Sequence, residues 1–428
     1  MWGLWEVIFY ETPNIDKLSQ EGVVFTNAYA NAPNCAPSRA CLLSGQYGPR
    51  HGIYTVNSSA RGKAKNRKLI PTPNTTELRS NVVTVAEALK EQGYSTCMIG
   101  KWHMGEGDKT GPLAQGFDVN IGGGHQGHPR TYFGPFHMKN LENGPSKEYL
   151  TDRLTDEALG FMKSHKEGPF FIYLSHYSVH TPLQAKDDMI EKYRGKKPGE
   201  LHNHPTYAAM VESTDESVGR LMKGLDDMGI ADNTLVVFFS DNGGFGPVTS
   251  MAPLKGSKGM MYEGGIREPL IVRWPKKIKK ASTCDVPVIG TDFYPTFLEA
   301  AGITDIPERL DGESITPLLK GKNSKLKKRS LFWHFPAYLE AYRGMKSPLG
   351  CWRTTPASAI RKGKWKLIEY FEDNHLELYD LNNDIGENHN LVKRYPRKVK
   401  KLYSELKKWR EEVKAPVPQQ RNPLYEGK

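Results

Sequence analysis

The chain has 428 residues, of which 38% are hydrophobic, 10% aromatic and 25% charged, and this composition excludes disordered and fibrous proteins. Its net charge of +11 lies largely in short basic runs, and we favour solvated loops and one charged helix face over attraction for polyanions as their explanation. The five cysteines are too few for a disulfide framework, and no apolar stretch approaches the roughly 18 residues of a membrane span.

Short apolar runs alternate with helical stretches from Thr12 to about Arg273. Periodicity predicts helices at 15–21, 83–92, 149–165 and 207–228, and strands at 23–26, 96–99, 170–174 and 234–239. The strands are apolar without alternation, as in a parallel sheet that is covered on both faces. The pattern predicts an α/β fold with a large, mostly parallel sheet flanked by helices.

The pattern changes near residue 325. Runs at 330–335, 357–361, 365–371 and 376–381 indicate antiparallel strands, and 396–413 forms an amphipathic helix. We therefore predict two domains: a large α/β domain at 1–325 and a smaller C-terminal α+β domain with an antiparallel sheet at 326–428.

One string near the N-terminus carries a specific signal. Residues 35–45 read CAPSRACLLSG. A cysteine before a proline is usually structural, but the whole string resembles the signature of the type I sulfatases, the formylglycine-dependent, arylsulfatase-like members of the alkaline phosphatase superfamily. In that family the cysteine is oxidised to formylglycine, whose hydrate offers two hydroxyls on one carbon: one attacks sulfur, and deprotonation of the other expels sulfate.

Four further segments, each after a predicted strand or just beyond one, match blocks of the same family in the same order. They read GKWHMG at 100–105, HYSVHTP at 176–182, SDNGG at 240–244 and LKGSKGMMYEGGIREP at 254–269. Taken alone, the first three have ordinary explanations: a surface lysine or histidine, a structural histidine and a turn. The carboxyl ends of parallel strands are nevertheless where α/β proteins bind ligands.

The resemblance implies roles for individual side chains. Its catalytic set is Cys35, Arg39, Lys101, His103, His180 and Lys258. The metal set is Asp241, Asn242 and the modified Cys35, which would bind one Ca²⁺ through hard oxygen ligands. The segment at 176–182 contains two histidines, His176 and His180. The family pattern implies that His180 faces the substrate, and His176 can equally be structural.

The pattern departs from the family at its start. Sulfatases normally begin with a buried strand that ends in two consecutive aspartates of the metal site, and no such pair precedes Tyr10. Asp16 lies at a helix start and is a poor substitute. We expect a misplaced start codon or a truncated gene, with the first strand and a signal peptide lost together. Full-length relatives are periplasmic, secreted or lysosomal, and the location of this chain stays open.

The sequence therefore predicts a sulfuric ester hydrolase that acts on a sulfated carbohydrate. The implied partners are the saccharide and a formylglycine-generating or anaerobic sulfatase-maturating enzyme; scattered basic runs without aromatic interleaving argue against nucleic acid. Two alternatives remain: a phosphonate or phosphate ester hydrolase of the same superfamily, and an inactive glycan-binding remnant.

Overall fold

A three-stranded parallel sheet forms one half of the larger domain in the computed structural model, which describes residues 9–304, 309–321, 326–345 and 347–427. Its strands are β2 (Ser95–Gly100), β3 (Val119–Ile121) and β4 (Phe170–Ser175). They lie in the order β3–β2–β4, so that β4 is an edge. All residues of β2 except the first are buried, which explains its unbroken apolar sequence.

A second sheet forms the other half of this domain. Its strands are β1 (Val23–Tyr29), β5 (Val236–Phe239), β6 (Arg267–Arg273), β7 (Ser282–Cys284) and β8 (Val288–Ile289). They lie in the order β5–β6–β1–β7, with β8 also beside β1. Only β6 runs against the others, because it pairs antiparallel with both β1 and β5 while β7 and β8 are parallel to β1.

Helices cover both faces of these sheets. They are α1 (Pro13–Glu21), α2 (Cys35–Ser44), α3 (Gly48–His51), α4 (Val85–Glu91), α5 (Gly107–Thr110), α6 (Leu150–His165), α7 (Asp187–Arg194), α8 (Pro205–Asp227), α9 (Glu263–Ile266), α10 (Phe293–Ala300) and α11 (Thr316–Leu319). Helices α2, α4 and α10 share one apolar cluster with β2, and α6 and α8 share another with the opposite face of β2. Thr84 and Glu87 form a capping box that fixes the start of α4.

The C-terminal part is an antiparallel sheet with one long helix. The remaining strands are β9 (Leu331–Phe335), β10 (Leu339–Glu340), β11 (Trp352–Thr354), β12 (Ala357–Lys362), β13 (Trp365–Tyr370) and β14 (His375–Asp380), and the helix is α12 (Pro396–Glu412). The order β14–β13–β12–β9 is antiparallel throughout, and β10 pairs with β11. Apolar residues of α12 pack on this sheet in one cluster that also includes Met260 and Ile266 of the larger domain.

An open slot separates the two sheets of the larger domain. Strands β4 and β5 are both edges, and a cavity of about 1090 Å³ lies between them. Their amino ends pack on a shared cluster through Phe170 and Val236, and the residues at their carboxyl ends both contact Arg39. The two strands therefore run in the same direction with room between them for another.

These observations confirm the predicted fold class. Parallel strands flanked by helices and a C-terminal antiparallel sheet are both present, and the predicted helices and strands match observed ones to within a few residues. The predicted domain boundary at 325 lies outside the described residues and stays a prediction. The N-terminal residues 1–8, on which the signal-peptide expectation rests, also lie outside them. In the described ranges no helix combines the length and apolar character needed to cross a bilayer.

Candidate active site

Cys35 is the first residue of α2 and is only 2% exposed. The free N–H groups and the dipole of a helix start favour negative charge at this position. Burial raises the pKa of the Cys35 thiol, but the charges of Lys101 and Lys258 and a hydrogen bond with His103 outweigh it and hold the pKa well below its usual range. The environment of residue 35 therefore favours a negatively charged group.

Arg39 lies one turn along α2 and joins three loops. Its Nε and Nη2 both contact Oδ2 of Asp241 at 2.7 Å, and Nη1 donates to the carbonyl of Lys101 at 2.8 Å. Nη1 also donates to the hydroxyl of Ser175, which in turn donates to the same Lys101 carbonyl at 2.9 Å. One guanidinium thus fixes the ends of β2, β4 and β5 relative to α2.

Two lysines supply positive charge to the site. Lys101 is 3% exposed, and burial lowers the pKa of its ammonium group even though the charges of Cys35 and Asp241 oppose that effect. Within the part of the chain that the structure describes, neither Lys101 nor Lys258 forms a side-chain ion pair. Lys258 lies on the loop before α9, where its N–H donates to the carbonyl of Gly244 at 3.1 Å.

His103 faces the thiol of Cys35 from the loop after β2. Burial lowers the pKa of His103, while its hydrogen bond with Cys35 acts in the opposite direction. The ring packs against Gly127 so closely that a Cβ there would lie 2.3 Å from Cε1 of the imidazole. Gly127 is therefore a positioning residue that the sequence analysis missed.

His180 approaches the site from the loop after β4. Its Nδ1 lies 3.0 Å from the carbonyl of Thr181, and its ring stacks on that of His128 with centroids 6.0 Å apart. Burial, followed by the charges of Lys258 and Lys101, lowers the pKa of His180 to about 4. The other histidine of this segment, His176, contacts the hydroxyl of Ser217 on α8 at 2.9 Å, as a structural histidine does.

Asp241 and Asn242 follow β5 at the same end of the slot. Burial raises the pKa of Asp241, but Arg39, Lys101 and Lys258 together hold it well below the usual range of a carboxyl. Oδ1 of Asn242 is buried and accepts no hydrogen bond. Both are oxygen donors of the kind that calcium prefers, yet calcium takes six to eight oxygens. Among the described residues no group of three or more His, Cys, Asp or Glu side chains is placed to hold a metal, so these residues alone do not complete a calcium site.

The structure brings together every residue of the predicted site. Electrostatic interactions connect four charged side chains of the site, namely Cys35, Lys101, Lys258 and Asp241. The side chains of Arg39, His103 and His180 also interact with Cys35, either by a hydrogen bond or through their charges. Sequence analysis did not identify Ser175, His128 or Glu268. Glu268 lies on β6 and lines the slot; burial raises its pKa well above the usual value, although a hydrogen bond with Ser240 acts in the opposite direction.

This arrangement suits an oxyanion that reacts at residue 35. Two ammonium groups that form no ion pair among the described residues, together with a helix start, lie near this position, and the burial of Lys101 strengthens its interaction with an anion. The imidazole of His180 is neutral near pH 7 and lies within electrostatic range of Lys258 and Cys35. The chemistry that these groups favour is transfer of a sulfuryl or phosphoryl group.

Comparison with known proteins identifies the family to which this site belongs. The family model described as Sulfatase matches residues 6–303, and the model described as N-sulphoglucosamine sulphohydrolase, C-terminal, matches 257–415. A sulfatase of Formosa agariphila is 33% identical over 481 residues, covering 96% of this chain and 85% of that protein. Human N-acetylgalactosamine-6-sulfatase is 32% identical over 359 residues, covering 76% of this chain and 63% of that protein.

Solved structures agree with the sequence relatives. The crystal structure of Ps i-CgsB matches with a TM-score of 0.76 and 30% identity, covering 95% of this chain and 89% of that chain. The same protein in complex with k-i-k-neocarrahexaose matches with a TM-score of 0.75. The family model covers more than half of the chain, and these proteins share both its sequence and its fold. The chain therefore belongs to the sulfatase family, whose members are sulfuric ester hydrolases.

Proposed function

We propose that this chain removes sulfate from a sulfated carbohydrate by means of a formylglycine made from Cys35. Relatives that act on or bind sulfated sugars support the substrate class: the human relative is named for the 6-sulfate of N-acetylgalactosamine, and Ps i-CgsB binds a carrageenan oligosaccharide. The chain's net charge of +11 also favours an anionic substrate.

One observation carries the proposal. Lys101 and Lys258 act electrostatically on residue 35, and neither forms a side-chain ion pair among the residues described. A buried cation is costly unless it has an anionic partner. A sulfate ester in the site supplies that partner, because its oxygens carry the negative charge that grows as the sulfur–oxygen bond breaks.

Each remaining residue has a role in this proposal. The modification at residue 35 supplies one hydroxyl that attacks sulfur and a second whose deprotonation expels sulfate. His103, which contacts the Cys35 side chain, takes the proton of the second hydroxyl. Arg39 connects the loops after β2, β4 and β5 by hydrogen bonds, and so keeps Lys101 and Asp241 at fixed positions.

The leaving alcohol meets His180 and Lys258. The pKa of His180, lowered to about 4, leaves its imidazole neutral near pH 7. With Nδ1 directed at the Thr181 carbonyl, Nε2 of the neutral imidazole takes the proton that the hydroxyl of residue 35 releases as it attacks sulfur, and returns this proton to the leaving oxygen as the sulfur–oxygen bond breaks. Lys258 stabilises negative charge on the departing oxygen.

We also propose that a further strand completes the site. Among the described residues β4 pairs only with β2 and β5 only with β6, so each presents one unpaired edge to the slot, and Asp241 and Asn242 lie at its carboxyl end. A strand that ends in aspartates there would pair with both edges and add the oxygens that calcium still lacks. The slot is what supports this proposal, together with the family's aspartate pair.

The test compares 4-nitrophenyl sulfate with 4-nitrophenyl phosphate as substrates. The protein is expressed in a host that makes formylglycine, and we expect a higher kcat/KM for the sulfate. Faster cleavage of the phosphate would instead favour the phosphonate or phosphate ester hydrolase.

The state of Cys35 is tested separately. A mass spectrum of its peptide from the same preparation should show the conversion to formylglycine, and a Cys35→Ser variant should be inactive. An unmodified thiol, together with an inactive protein that still binds sulfated oligosaccharides, would favour the glycan-binding remnant.

A further inference from the structure

The C-terminal part of the chain reaches the loop that carries Lys258. Arg353 lies on β11, and its Nη1 donates to the backbone carbonyl of Lys258 at 3.1 Å. Tyr342, just after β10, donates to the same carbonyl at 3.4 Å and accepts a hydrogen bond from Nη1 of Arg353 at 2.6 Å. The pair β10–β11 therefore forms a wall next to the sulfate-binding residues.

Arg353 is a buried cation whose charge is only partly offset, because the Glu340 carboxylate acts on it electrostatically but itself forms an ion pair with Arg61. The residue is 8% exposed, and its hydrogen bonds reach only the carbonyls of Lys258 and Glu340 and the hydroxyl of Tyr342. Within the described ranges it has no ion pair, and Nη2 has no hydrogen-bond partner. Burial and the charge of Arg61 lower the pKa of Arg353, and they outweigh the opposing effects of Tyr342 and Glu340.

An aromatic pair holds this guanidinium next to the site. The Tyr342 ring lies 4.0 Å from the carbon of the Arg353 guanidinium and contacts the Phe245 ring edge-to-face at 5.1 Å. Phe245 lines the same cavity as Lys258, and the charges of Lys258 and Cys35 act on the Tyr342 hydroxyl. Arg353 is thus connected to the Lys258 loop and, through Tyr342, to Phe245 of the cavity wall, but it lies on a different strand pair.

We propose that Arg353 binds a second oxyanion of the saccharide, a sulfate or carboxylate other than the group that is cleaved. A guanidinium offers a planar fork of donors that matches the oxygens of such groups, and Nη2 is available for one of them. Tyr342 positions the fork by stacking and by its hydrogen bond. This inference rests on the proposed sulfatase function and extends it to substrates with at least two negative groups.

The experiment measures the preference for doubly charged substrates. In the parent protein kcat/KM is determined for D-glucosamine 6-O-sulfate, D-glucosamine-2-N,6-O-disulfate, and matched oligosaccharides with and without a uronate next to the cleaved sulfate. We expect the parent to prefer a doubly charged member of these pairs. In Arg353→Met that preference should fall about 10- to 100-fold, mainly through KM, because one charge-assisted contact is lost.

Matched variants separate recognition from support of the Lys258 loop. Arg353→Lys keeps the charge but not the fork and should retain part of the preference, and Tyr342→Phe should weaken it less than Arg353→Met. Arg309→Met is the remote control, because Arg309 is exposed and pairs with Glu412; it should change nothing. Equal losses for singly and doubly charged substrates, or a parent without any preference, would overturn the proposal.

A binding measurement distinguishes this inference from the proposed function. In Cys35→Ser, which cannot turn over, calorimetry gives the affinities for the same singly and doubly charged pairs. We expect Arg353→Met to reduce only the affinity for the doubly charged member, whether or not the parent hydrolyses 4-nitrophenyl sulfate. The pair in which the affinity falls, disulfate or uronate, identifies the oxyanion that Arg353 binds. If Arg353→Met binds the doubly charged member of each pair as tightly as the parent does, the inference is wrong.

Discussion

Arg39 contacts one oxygen of Asp241 twice, through Nε and Nη2 at 2.7 Å each, and leaves the other oxygen without a hydrogen bond from the described residues. The free oxygen is the one that remains for a metal or a substrate. Since Arg39 also holds the Lys101 carbonyl, one side chain links the anionic and cationic halves of the site. The charge of Asp241 and the position of Lys101 therefore depend on the same group.

Replacing Arg39 should reveal this link as a loss of stability. Arg39→Met leaves the partly buried carboxylate of Asp241 beside the slot without its guanidinium, and we expect the free energy of unfolding to fall by about 1–3 kcal/mol. The pKa of Asp241 should rise at the same time, because Arg39 is the strongest of the groups that lower it. Urea denaturation at pH 7 measures the first effect.

The double variant Arg39→Met/Asp241→Asn is the control. It removes the unpaired charge, so part of the lost stability should return, while activity stays low because Lys101 is no longer fixed. If Arg39→Met is as stable as the parent, the ion pair does not hold the loops together.

The pH dependence of activity should reflect the lowered pKa of His180. A histidine with a pKa of about 4 is neutral above about pH 5, so kcat/KM should show no inflection from His180 near the ordinary value of 6.5. The rate should instead decline as the pH approaches 4, where the imidazole becomes charged. The pH profile with 4-nitrophenyl sulfate, together with an NMR titration of the His180 ring, measures this.

Lys258→Met gives the matched comparison. The charge of Lys258 is the main contribution after burial to the lowered pKa of His180, so the titration midpoint should move up toward 6.5 in this variant. A His180 midpoint near 6.5 in the parent would contradict the assignment of a neutral imidazole.

Calcium should bind weakly to the chain and more tightly once the slot is filled. Asp241 and Asn242 offer few of the oxygens that calcium takes, so 1 mM calcium should raise the free energy of unfolding by less than about 1 kcal/mol. Joining an apolar strand of five or six residues that ends in two aspartates, through a flexible linker at the N-terminus, should raise both the stability and its calcium dependence. Thermal unfolding with calcium and with EDTA is the measurement.

The control strand ends in two asparagines. It should pair with β4 and β5 and stabilise the fold without the same gain from calcium. The strand proposal would be wrong if neither version changes the unfolding temperature, since the two edges would then not accept a strand.

The sequence predicts the elements well because their signals are local. The helix at 149–165 is observed at Leu150–His165 and the strand at 170–174 at Phe170–Ser175, since periodicity and capping act within a few residues. The antiparallel direction of β6 and the short strands β3, β7 and β8 were not predicted. Their pairing joins residues far apart in the chain, such as Val23 with Val272, and leaves no periodic pattern.

The site residues likewise fall into those that local sequence predicts and those that depend on long-range contacts. Motif segments identify Cys35, Lys101 and Lys258 because each motif is contiguous. Gly127 and Arg353 were missed because their effect depends on which loops meet: one packs on a ring from another loop, and the other reaches across from the C-terminal sheet. Physical contact between distant segments is information that a single sequence does not contain.

Stability should fall as the pH rises through neutrality because of a buried cluster beneath the C-terminal sheet. Lys366 contacts both Glu263 and Glu387 at 2.9 Å, and all three side chains are fully buried. Burial raises the pKa of Glu387 from 4.5 to about 7, so the folded protein keeps a proton that the unfolded chain releases. This contribution is complete below about pH 4.5 and is lost as the pH rises through 7.

Glu387→Gln should remove that dependence. The amide cannot release a proton, so the free energy of unfolding between pH 5 and 8 should become flatter by about 1–3 kcal/mol than in the parent. Glu263 has a lowered pKa and so affects stability only at more acidic pH. Urea denaturation across this range measures the slope, with exposed Glu340→Gln as the control; an identical slope in Glu387→Gln and the parent would rule the cluster out as its source.

Gly127 provides the sharpest test of how His103 is positioned. In Gly127→Ala the new Cβ would lie 2.3 Å from Cε1 and 2.5 Å from Nε2 of His103, so the ring must move away from residue 35. We expect kcat for 4-nitrophenyl sulfate to fall about 10- to 100-fold, because small misplacements of a catalytic group are costly. Gly124→Ala is the matched control, since the nearest atom to its Cβ is 3.9 Å away on Glu106. The unfolding temperature should stay close to that of the parent in both variants, and equal activity in the two would mean that His103 does not need this contact.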